Sequence, residues 1–508
     1  MDKTWTPEQV AAIENRSDNL LVSAAAGSGK TALLIERIYR IVMEDHIDVD
    51  RLLVLTFTRA AAGEMKNRLN QAFSKVLVGA GSQLRAEILR QMNLLANASI
   101  STFHVFCLSL LRQYFYKIDL DPAFAIGNET DMALLRKEAL DQAFELSYER
   151  AEAGQDPHFL ALIDKYSGNR DDQTLKDLVE QFYFFLSAQP YQEIWCEKAL
   201  KNFDIDEKTF LKQHLWGQKA QEMVFSRLTT IKNAYLGAVK LSDQEEGFEK
   251  VSDLLKEELV ATTGAFDQYV QQADQGEWLD ALKSIEFRRF PSSKKMDAEC
   301  KSRIKALRDQ AKDDIKALIA FHNKGFLLAE LKELKPLMKR LVDLSQQMKQ
   351  IYAEKKAEKN ALDYNDLEQF ALELLDDESV ADEVRQRFAY VFIDEYQDTN
   401  EMQETILKKI VRADNYFMVG DVKQSIYRFR LADPSIFMGK YESFGAQDGG
   451  ALISLNRNFR SAKTVIDGIN EIFSAIMSKS LGEIDYNDQV CLYPGLRKMI
   501  VSRKWQSI

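Results

Sequence analysis

The stretch at 23–31 constrains this chain more than any other, because it reads Ser-Ala-Ala-Ala-Gly-Ser-Gly-Lys-Thr. An apolar run at 20–22 precedes it, and apolar residues at helical spacing follow it between 33 and 41. A strand, a glycine-rich loop closed by Gly-Lys-Thr, and a helix form the phosphate-binding pattern, here with Ala24 where glycine is common. The alternative is an ordinary glycine-rich turn before a buried helix. The flanking elements favour a nucleotide-binding α/β domain.

The chemistry of a phosphate-binding loop explains why these residue types are needed. Gly27 and Gly29 let backbone N–H groups turn inward as an anion nest, and the helix that follows adds the positive end of its dipole. Lys30 is predicted to reach the β and γ phosphates, and Thr31 to bind Mg²⁺. The residues predicted to surround the phosphates are Ala24, Ala25, Ala26, Gly27, Ser28, Gly29, Lys30 and Thr31.

Length, charge and cysteine usage limit the remaining possibilities. A chain of 508 residues is expected to form two or three domains. Its net charge of -11 argues weakly against a nucleic-acid partner, although a motor can hold a basic groove on an acidic body. The four cysteines form no CxxC pair, which fits a reducing compartment. Because no apolar run resembles a signal peptide or a membrane span, we expect a cytoplasmic protein with no membrane partner.

Gln9 has two interpretations. Thr6, Pro7 and Gln9 are the residues expected at the start of a helix, with Thr6 as N-cap and Gln9 completing a capping box. The functional alternative is that the Gln9 amide reads the edge of an adenine just upstream of the phosphate-binding loop.

Two predicted strands end in polar and aromatic residues. The apolar run 52–56 is followed by Phe57, Thr58 and Arg59, and the run 98–102 ends at Thr102 before His104. The carboxyl edge of an open α/β sheet is where ligands bind. A packed or capping role is the alternative for His104.

The character of the chain changes between residues 111 and 359, where helical periodicity replaces strand signals. The aromatic cluster at 182–185 is expected to lie in the core of this helical region. The basic loop at 288–295 is interpreted either as a contact to a phosphate backbone or as a solvated loop.

A pair of carboxylates follows the apolar strand at 389–393. Asp394 and Glu395 at the end of a buried strand would be unfavourable without a nearby positive charge. In a phosphate-loop protein that charge is Mg²⁺, bound by Asp394 beside Thr31, with Glu395 as the base that activates water. The alternative is that both acids cap the next helix.

Further polar residues follow two more predicted strands. After 416–420 come Gln424, suited to sense the γ-phosphate, and then an aromatic and basic mixture of the kind that stacks bases and binds phosphates. The members of this mixture are Tyr427, Arg428, Phe429 and Arg430. Core packing is the alternative for the aromatic residues. After 452–455 comes Arg460, which could reach a phosphate across a cleft.

Taken in order, these motifs resemble the superfamily 1A DNA helicases, the group of UvrD, Rep, PcrA and RecB. The resemblance rests on Thr6–Gln9, the phosphate-binding loop, 56–65, 102–104, 394–400, 420–430 and 458–461. Within this group, residues 27–32, 118–124 and 362–367 are most similar to the A subunits of the AddAB (RexAB) helicase-nucleases. Ala32 replaces an arginine that UvrD-type enzymes often carry.

The resemblance implies a role for each matching residue. Gln9 and Phe459 would contact adenine, Lys30, Thr31, Asp394 and Glu395 would bind and hydrolyse Mg²⁺-ATP, and Gln424 and Arg460 would contact the γ-phosphate. The residues that match the single-stranded DNA track are Phe57, Thr58, Arg59, Thr102, His104, Tyr427, Phe429 and Arg430.

The resemblance also implies an architecture. We expect an α/β fold in which 1–111 and 359–447 form a RecA-like domain, 112–358 form an all-helical insertion, and 448–508 begin a second RecA-like domain. The implied activity is ATP-driven 3′ to 5′ movement on DNA, in a heterodimer with the AddB (RexB) protein that processes duplex ends for recombinational repair.

The similarity to the family stops after 493–495, before the later helicase motifs and the nuclease signature. We therefore hypothesise a truncated or frame-shifted copy. The alternative function is a nucleotide-dependent module that binds DNA or a partner with little turnover.

Overall fold

The computed structural model describes residues 5–495, apart from 168–170, 207–208, 272–276, 292–294, 322–323, 483 and 489. The chain divides into two compact units. The first comprises Met1–Leu146, Gln173–Gln192 and Ser345–Ile508, as far as these ranges are described, and the second comprises Ser147–Asp172 and Glu193–Leu344. Part of the basic loop at 288–295 and all of the stretch after Gly495 lie outside the described residues.

A six-stranded parallel sheet forms the framework of the first unit, with strand order β3-β2-β6-β7-β1-β8. Two short pairs, β4 with β5 and β9 with β10, are also parallel. The strands are β1 Leu20–Ala24, β2 Leu52–Thr56, β3 Ser99–Thr102, β4 Ala125–Ile126, β5 Ala361–Leu362, β6 Tyr390–Asp394, β7 Tyr416–Gly420, β8 Ala451–Leu455, β9 Arg457–Asn458 and β10 Tyr493–Pro494.

Helices account for most of the remaining residues. In chain order they begin with α1 Pro7–Glu14, α2 Lys30–Met43, α3 Arg59–Leu77, α4 Ser82–Asn97, α5 Phe103–Tyr114, α6 Glu129–Glu152 and α7 Pro157–Tyr166. They continue with α8 Gln173–Ser187, α9 Gln192–Lys201, α10 Phe210–Gln213, α11 Leu215–Gln244, α12 Glu249–Gln271, α13 Glu277–Lys283, α14 Ala298–Phe321 and α15 Lys324–Glu358. The last are α16 Tyr364–Asp376, α17 Glu378–Arg387, α18 Glu401–Ile410, α19 Pro434–Gly445, α20 Lys463–Ile476 and α21 Lys479–Gly482.

The sheet is buried on both faces, which explains why its strands read as continuous apolar runs rather than alternating ones. Every residue of β2 and β7 is buried. Helices α2, α3 and α4 pack one apolar core against the sheet, and α5, α16, α17 and α18 pack another. The predicted α/β class with a parallel, helix-flanked sheet is confirmed.

The limits of the sheet differ from the expected boundary at residue 447. Strand β8 pairs in parallel with β1, with Leu20 opposite Ala451 and Ala24 opposite Leu455. The sheet of the first unit therefore extends to Leu455, because the apolar run after 447 forms a strand that pairs with the edge of β1 opposite β7.

The second unit, taken by itself, is helical in its described residues. Its core lies between α11, α12 and α14, around the buried Trp278. A buried ion pair joins two of these helices, with Arg308 Nε 2.8 Å from Glu258 Oε2. Helices α8 and most of α6, which fall in the predicted insertion at 112–358, belong to the first unit.

Among the described helices, none combines the length and the apolar character that a membrane span requires.

Candidate nucleotide and nucleic-acid site

The phosphate-binding loop lies between β1 and α2, as the sequence predicts. Gly27 and Gly29 have φ values of 72° and 88°, in the left-handed region that favours glycine. A Cβ atom on Gly27 would lie 2.7 Å from Asn458 Oδ1. That oxygen is already fixed, since it accepts hydrogen bonds from the backbone N–H groups of Arg460 and Ser461. Glycine at position 27 thus allows the loop and the segment after β8 to pack closely.

The loop has features that fit a bound phosphate. The Ser28 side chain is 1% exposed, and its hydroxyl has no hydrogen-bond partner within the described part of the chain. An unpartnered buried hydroxyl is unfavourable, so a ligand oxygen would stabilise it. Helix α2 begins at Lys30, directly after the loop, which directs the positive end of its dipole toward the same place.

Lys30 contacts Glu395, the predicted base, and Gln424, the predicted γ-phosphate sensor. Its Nζ donates to Glu395 Oε2 at 2.8 Å and lies 3.5 Å from Gln424 Oε1. All three side chains are therefore in one place, although Lys30 and Glu395 are separated by 365 positions in the sequence. Glu395 itself has left-handed backbone angles, with φ 55° and ψ 46°. Such a conformation is unusual for a residue other than glycine and is found at functional sites.

Asp394 is the residue that could bind a metal ion. Burial and the adjacent Glu395 carboxylate raise the pKa of Asp394 to about 6, while the charge of Lys30 lowers it. One carboxylate oxygen accepts a hydrogen bond from the Glu395 N–H at 3.0 Å. A divalent cation would offset both the desolvation and the repulsion between the carboxylates. The residues present thus fit Mg²⁺, with Thr31 at the first turn of α2 as the second predicted protein ligand.

Gln9 satisfies the capping interpretation and also contacts the loop. Its Oε1 accepts from Thr6 N at 3.0 Å, which confirms the capping box, and its Nε2 donates to the Ser28 carbonyl at 3.0 Å. A cavity of about 190 Å³ lies beside it. The cavity is lined by Thr6, Glu8, Gln9, Ser28, Ser454, Leu455, Asn456, Arg457, Phe459 and Tyr493. Gln9 and Phe459 are thus brought together, as the adenine assignment requires, although that assignment stays a prediction.

The aromatic residues predicted for DNA are also brought together. The rings of Phe57 and Tyr427 stack with centroids 4.5 Å apart and planes 28° apart. Phe429 is 76% exposed and its ring lies 5.9 Å from that of Tyr427. The Arg430 guanidinium lies 5.3 Å from the centre of the Tyr427 ring. A half-buried stacked pair with an exposed ring and a cation beside it is suited to bind unpaired bases.

His104 is held by two neighbours rather than packed in the core. Its ring lies 5.1 Å from that of Tyr364, and its Nε2 lies 3.4 Å from Glu368 Oε1. Glu368 is 5% exposed and accepts a hydrogen bond from Gln403 at 2.9 Å. Burial raises the pKa of Glu368, which the charge of His104 opposes.

One cleft of about 660 Å³ connects most of these side chains. Of the predicted DNA-contacting residues, Arg59 is the one that does not line it, and it is exposed at the start of α3. The lining residues are Leu55, Thr56, Phe57, Thr58, Thr102, Phe103, His104, Gln181, Phe184, Phe185, Ala188, Asn365, Glu368, Ile393, Asp394, Glu395, Asp398, Thr399, Asn400, Gln403, Leu407, Tyr427, Phe429, Arg430 and Leu431.

Part of this lining was not predicted. Helix α8 supplies Gln181 and Phe184, and the Arg136 guanidinium lies 4.5 Å from the centre of the Phe184 ring. The prediction that the whole aromatic cluster at 182–185 lies in a core holds for the buried Tyr183 but is wrong for the exposed Phe184. The sequence could have indicated this difference, because adjacent residues such as 183 and 184 point to different sides of a helix.

The side chain of Arg460, the arginine predicted to reach the γ-phosphate, forms no hydrogen bond or ion pair with another described residue. Its backbone is close to the loop, since the preceding Phe459 N–H donates to the Gly27 carbonyl at 2.9 Å.

Residues 5–445 match the family described as the UvrD/REP helicase N-terminal domain. The chain therefore belongs to the UvrD/REP helicase family. Similar curated proteins are the A subunit of the ATP-dependent helicase/nuclease of Alkaliphilus metalliredigens, 42% identical over 498 residues, and its counterpart in Alkaliphilus oremlandii, 41% identical over 503 residues. The protein of the same name from Syntrophomonas wolfei is 40% identical over 499 residues.

These alignments cover 97% of this UvrD/REP-family chain but 40% or 41% of each relative. The chain thus spans about two fifths of the length of the curated relatives it matches. The glycine-rich loop and the acidic pair at Asp394 and Glu395 both lie inside the matched family region.

Proposed function

We propose that this chain is the amino-terminal motor region of one protein of an ATP-dependent DNA helicase complex. The observation that carries the proposal is the contact of Lys30 with both Glu395 and Gln424. Gln424 lies three residues before Tyr427, the ring that stacks on Phe57. A nucleotide site and an aromatic cleft thereby share one short stretch of chain. The names of the related proteins support the helicase/nuclease context.

The proposed chemistry follows from the side chains around the loop. Lys30 leaves Glu395 to bind the β and γ phosphates, which frees the Glu395 carboxylate to orient and deprotonate water. Gln424 reports whether a γ-phosphate is present. Mg²⁺, which Thr31 and Asp394 would hold, supplies positive charge to the phosphate oxygens when bound. Gln9 and Phe459 hold the adenine, and Arg460 adds charge on the far side of the γ-phosphate.

The finer assignments come from the family resemblance. We propose a RecA-like domain of 1–111 and 359–447, extended by β8, a helical insertion within 112–358, and the start of a second RecA-like domain after it. Movement would run 3′ to 5′ along the strand in the cleft. The full-length cytoplasmic protein would pair with the AddB (RexB) protein at double-stranded DNA ends and supply exonuclease activity in recombinational repair.

The experiment compares ATP hydrolysis and nucleotide binding by the full-length protein in three variants. Lys30→Ala should bind a fluorescent ATP analogue at least about tenfold more weakly, because it loses a charge-assisted contact to phosphate. Glu395→Gln should keep binding but lower hydrolysis by about 100-fold, the contribution of a general base. Lys75→Ala, at an exposed lysine of α3, is the matched control and should behave as the wild type. Undiminished hydrolysis in both site variants would refute the assignment.

A second candidate function is a nucleotide-dependent module that binds DNA or a partner with little turnover. It is favoured by Arg460, whose side chain forms no hydrogen bond or ion pair with another described residue and so is not fixed where it would supply charge to the γ-phosphate. Steady-state hydrolysis with and without single-stranded DNA separates the two functions. We expect binding of both ligands with weak turnover by this chain, and robust unwinding would exclude the second function.

A further inference from the structure

Gln397 lies between the hydrolytic carboxylate and the segment that carries the aromatic pair. Its Nε2 donates to Glu395 Oε2 at 2.8 Å, and its Oε1 accepts from the Asp421 backbone N–H at 2.9 Å. The side chain is 2% exposed. A carboxamide is needed here, since it donates at one end and accepts at the other, which neither a carboxylate nor an apolar chain can do.

These bonds belong to a closed ring of hydrogen bonds in which Lys30 is one member. Asp421 Oδ2 accepts from Gln424 Nε2 at 2.9 Å, and Gln424 Oε1 in turn faces Lys30 Nζ. Lys30 also donates to the Glu395 oxygen that Gln397 contacts. When a phosphate draws Lys30 away, the ring opens at that one member. The bridge from Glu395 through Gln397 to Asp421 stays in place.

The neighbouring backbone is shaped to admit this bridge. A Cβ atom on Gly420 would lie 2.4 Å from Gln397 Oε1 and 3.1 Å from Gln397 N. Glycine therefore leaves the space that the carboxamide occupies. The Ser425 hydroxyl also faces the Gln397 carbonyl at 3.4 Å, so a second polar contact joins the same two segments.

A short stretch of chain with two 3₁₀ turns leads from the bridge to the aromatic cleft. Residues Val422–Gln424 and Arg428–Arg430 each form one turn of 3₁₀ helix, and the Arg430 N–H donates to the Tyr427 carbonyl at 2.7 Å. Residues 425–427 join the two turns, so Asp421 and Tyr427 are six positions apart on one short segment.

We propose that Gln397 is a positioning residue that couples the nucleotide site to the DNA cleft, by holding the Glu395 carboxylate and the Asp421 N–H at once. This inference rests on the proposed function, because it takes ATP and single-stranded DNA as the two ligands. Gln397 acts through its neighbours and touches neither ligand. Its removal should therefore weaken the communication between the sites.

The test measures thermodynamic coupling in the 508-residue chain. The affinity for a fluorescent oligothymidylate is measured with and without saturating AMP-PNP, and the ratio of the two affinities is the coupling factor. In the wild type we expect a factor of about five or more in either direction. Gln397→Met, which keeps the volume and loses both hydrogen bonds, should reduce it to about twofold or less.

The matched control is Gln91→Met in α4. Gln91 is also fully buried and also bridges, since its Oε1 accepts from Val49 N at 3.0 Å and its Nε2 donates to Asp48 at 2.8 Å. It should keep the wild-type coupling factor. Gly420→Ala, which displaces the Gln397 carboxamide without changing it, provides a second variant should Gln397→Met fail to fold.

The outcomes separate the two proposals. A wild-type chain that binds neither ligand overturns the proposed function. A wild-type chain that binds both without coupling, or a folded Gln397→Met or Gly420→Ala variant with full coupling, overturns the role of Gln397 alone. If Gln91→Met also lost coupling, the loss would reflect destabilisation of the first unit in general. That result would also overturn the role of Gln397.

Discussion

The nucleotide site and the aromatic cleft of the first unit differ in the kind of contact that their side chains make. Around Lys30, charged and amide groups satisfy one another in a closed ring within a few ångströms. In the cleft, by contrast, Phe57 and Tyr427 stack on each other and Phe429 stays largely exposed. The nucleotide site depends on the position of each atom, whereas the cleft offers ring surface that tolerates any base. Substitutions should therefore separate the two sites.

The largest effect is expected at the phosphate-binding loop. Gly27→Ala places a Cβ atom 2.7 Å from Asn458 Oδ1 and forces alanine into a left-handed conformation. We expect a loss of about 1–3 kcal/mol in the free energy of unfolding, together with a loss of affinity for ATP analogues of at least about tenfold. Chemical denaturation and fluorescent nucleotide titration measure the two.

Gly63→Ala is the control for this prediction. A Cβ atom on Gly63 meets nothing within 4 Å, and the residue lies inside helix α3. The variant should be more stable than the wild type by about 0.5–1 kcal/mol, because alanine favours the helix. A Gly27→Ala protein with unchanged stability and nucleotide affinity would contradict the close packing of loop and Asn458.

An intermediate effect is expected in the cleft. Tyr427→Ala removes the ring that stacks on Phe57 and should weaken binding of a single-stranded oligonucleotide by about tenfold, since one base–aromatic stack contributes about 1–3 kcal/mol. Fluorescence anisotropy measures this. Tyr116→Ala, at an aromatic residue that is 63% exposed outside the cleft, should have no effect. Equal losses in both variants would break the contrast between cleft and surface.

The smallest effect concerns the pH dependence of stability. Burial raises the pKa of Glu368, so the folded state binds a proton more tightly than the unfolded state. This contribution stabilises the fold at low pH and is lost as pH rises through the raised value. Glu368→Gln removes the titration. The difference in melting temperature, variant minus wild type, should be more positive at about pH 8 than at about pH 5, as measured by differential scanning calorimetry.

One outcome of that measurement would contradict the prediction. A difference independent of pH would mean that Glu368 does not titrate differently in the two states. Asp343→Asn, on helix α15 of the second unit, is the control for removing one carboxylate outside the cleft, and its melting temperature is compared in the same way.

The sequence predicted those parts of the site that local patterns encode. The loop at 23–31 and the strand ending at Asp394 carry their chemistry in a few adjacent residues, and the structure brings them together as the carboxyl ends of parallel strands. The Gln397 bridge was not predicted, because its partner Asp421 is close only once β6 and β7 pair.

Other parts depend on which face of an element meets its neighbours. Strand β8 was assigned to a second domain because an apolar run does not reveal which strand it pairs with. Phe184 was placed in a core for a similar reason, since helix α8 buries Tyr183 and exposes the next ring. Composition alone cannot distinguish these faces.

The order of strands in the sheet has a consequence for how the chain is made. Among the described strands, β1 pairs with β7 and β8, with Leu20 opposite Phe417 and Ala451. The ribosome must therefore add about 400 residues before the strand that carries the phosphate-binding loop finds its first neighbour, which takes roughly 20–80 s at the usual rates of synthesis. Residues 193–344 of the second unit are made within that interval, before β1 has either of its partner strands.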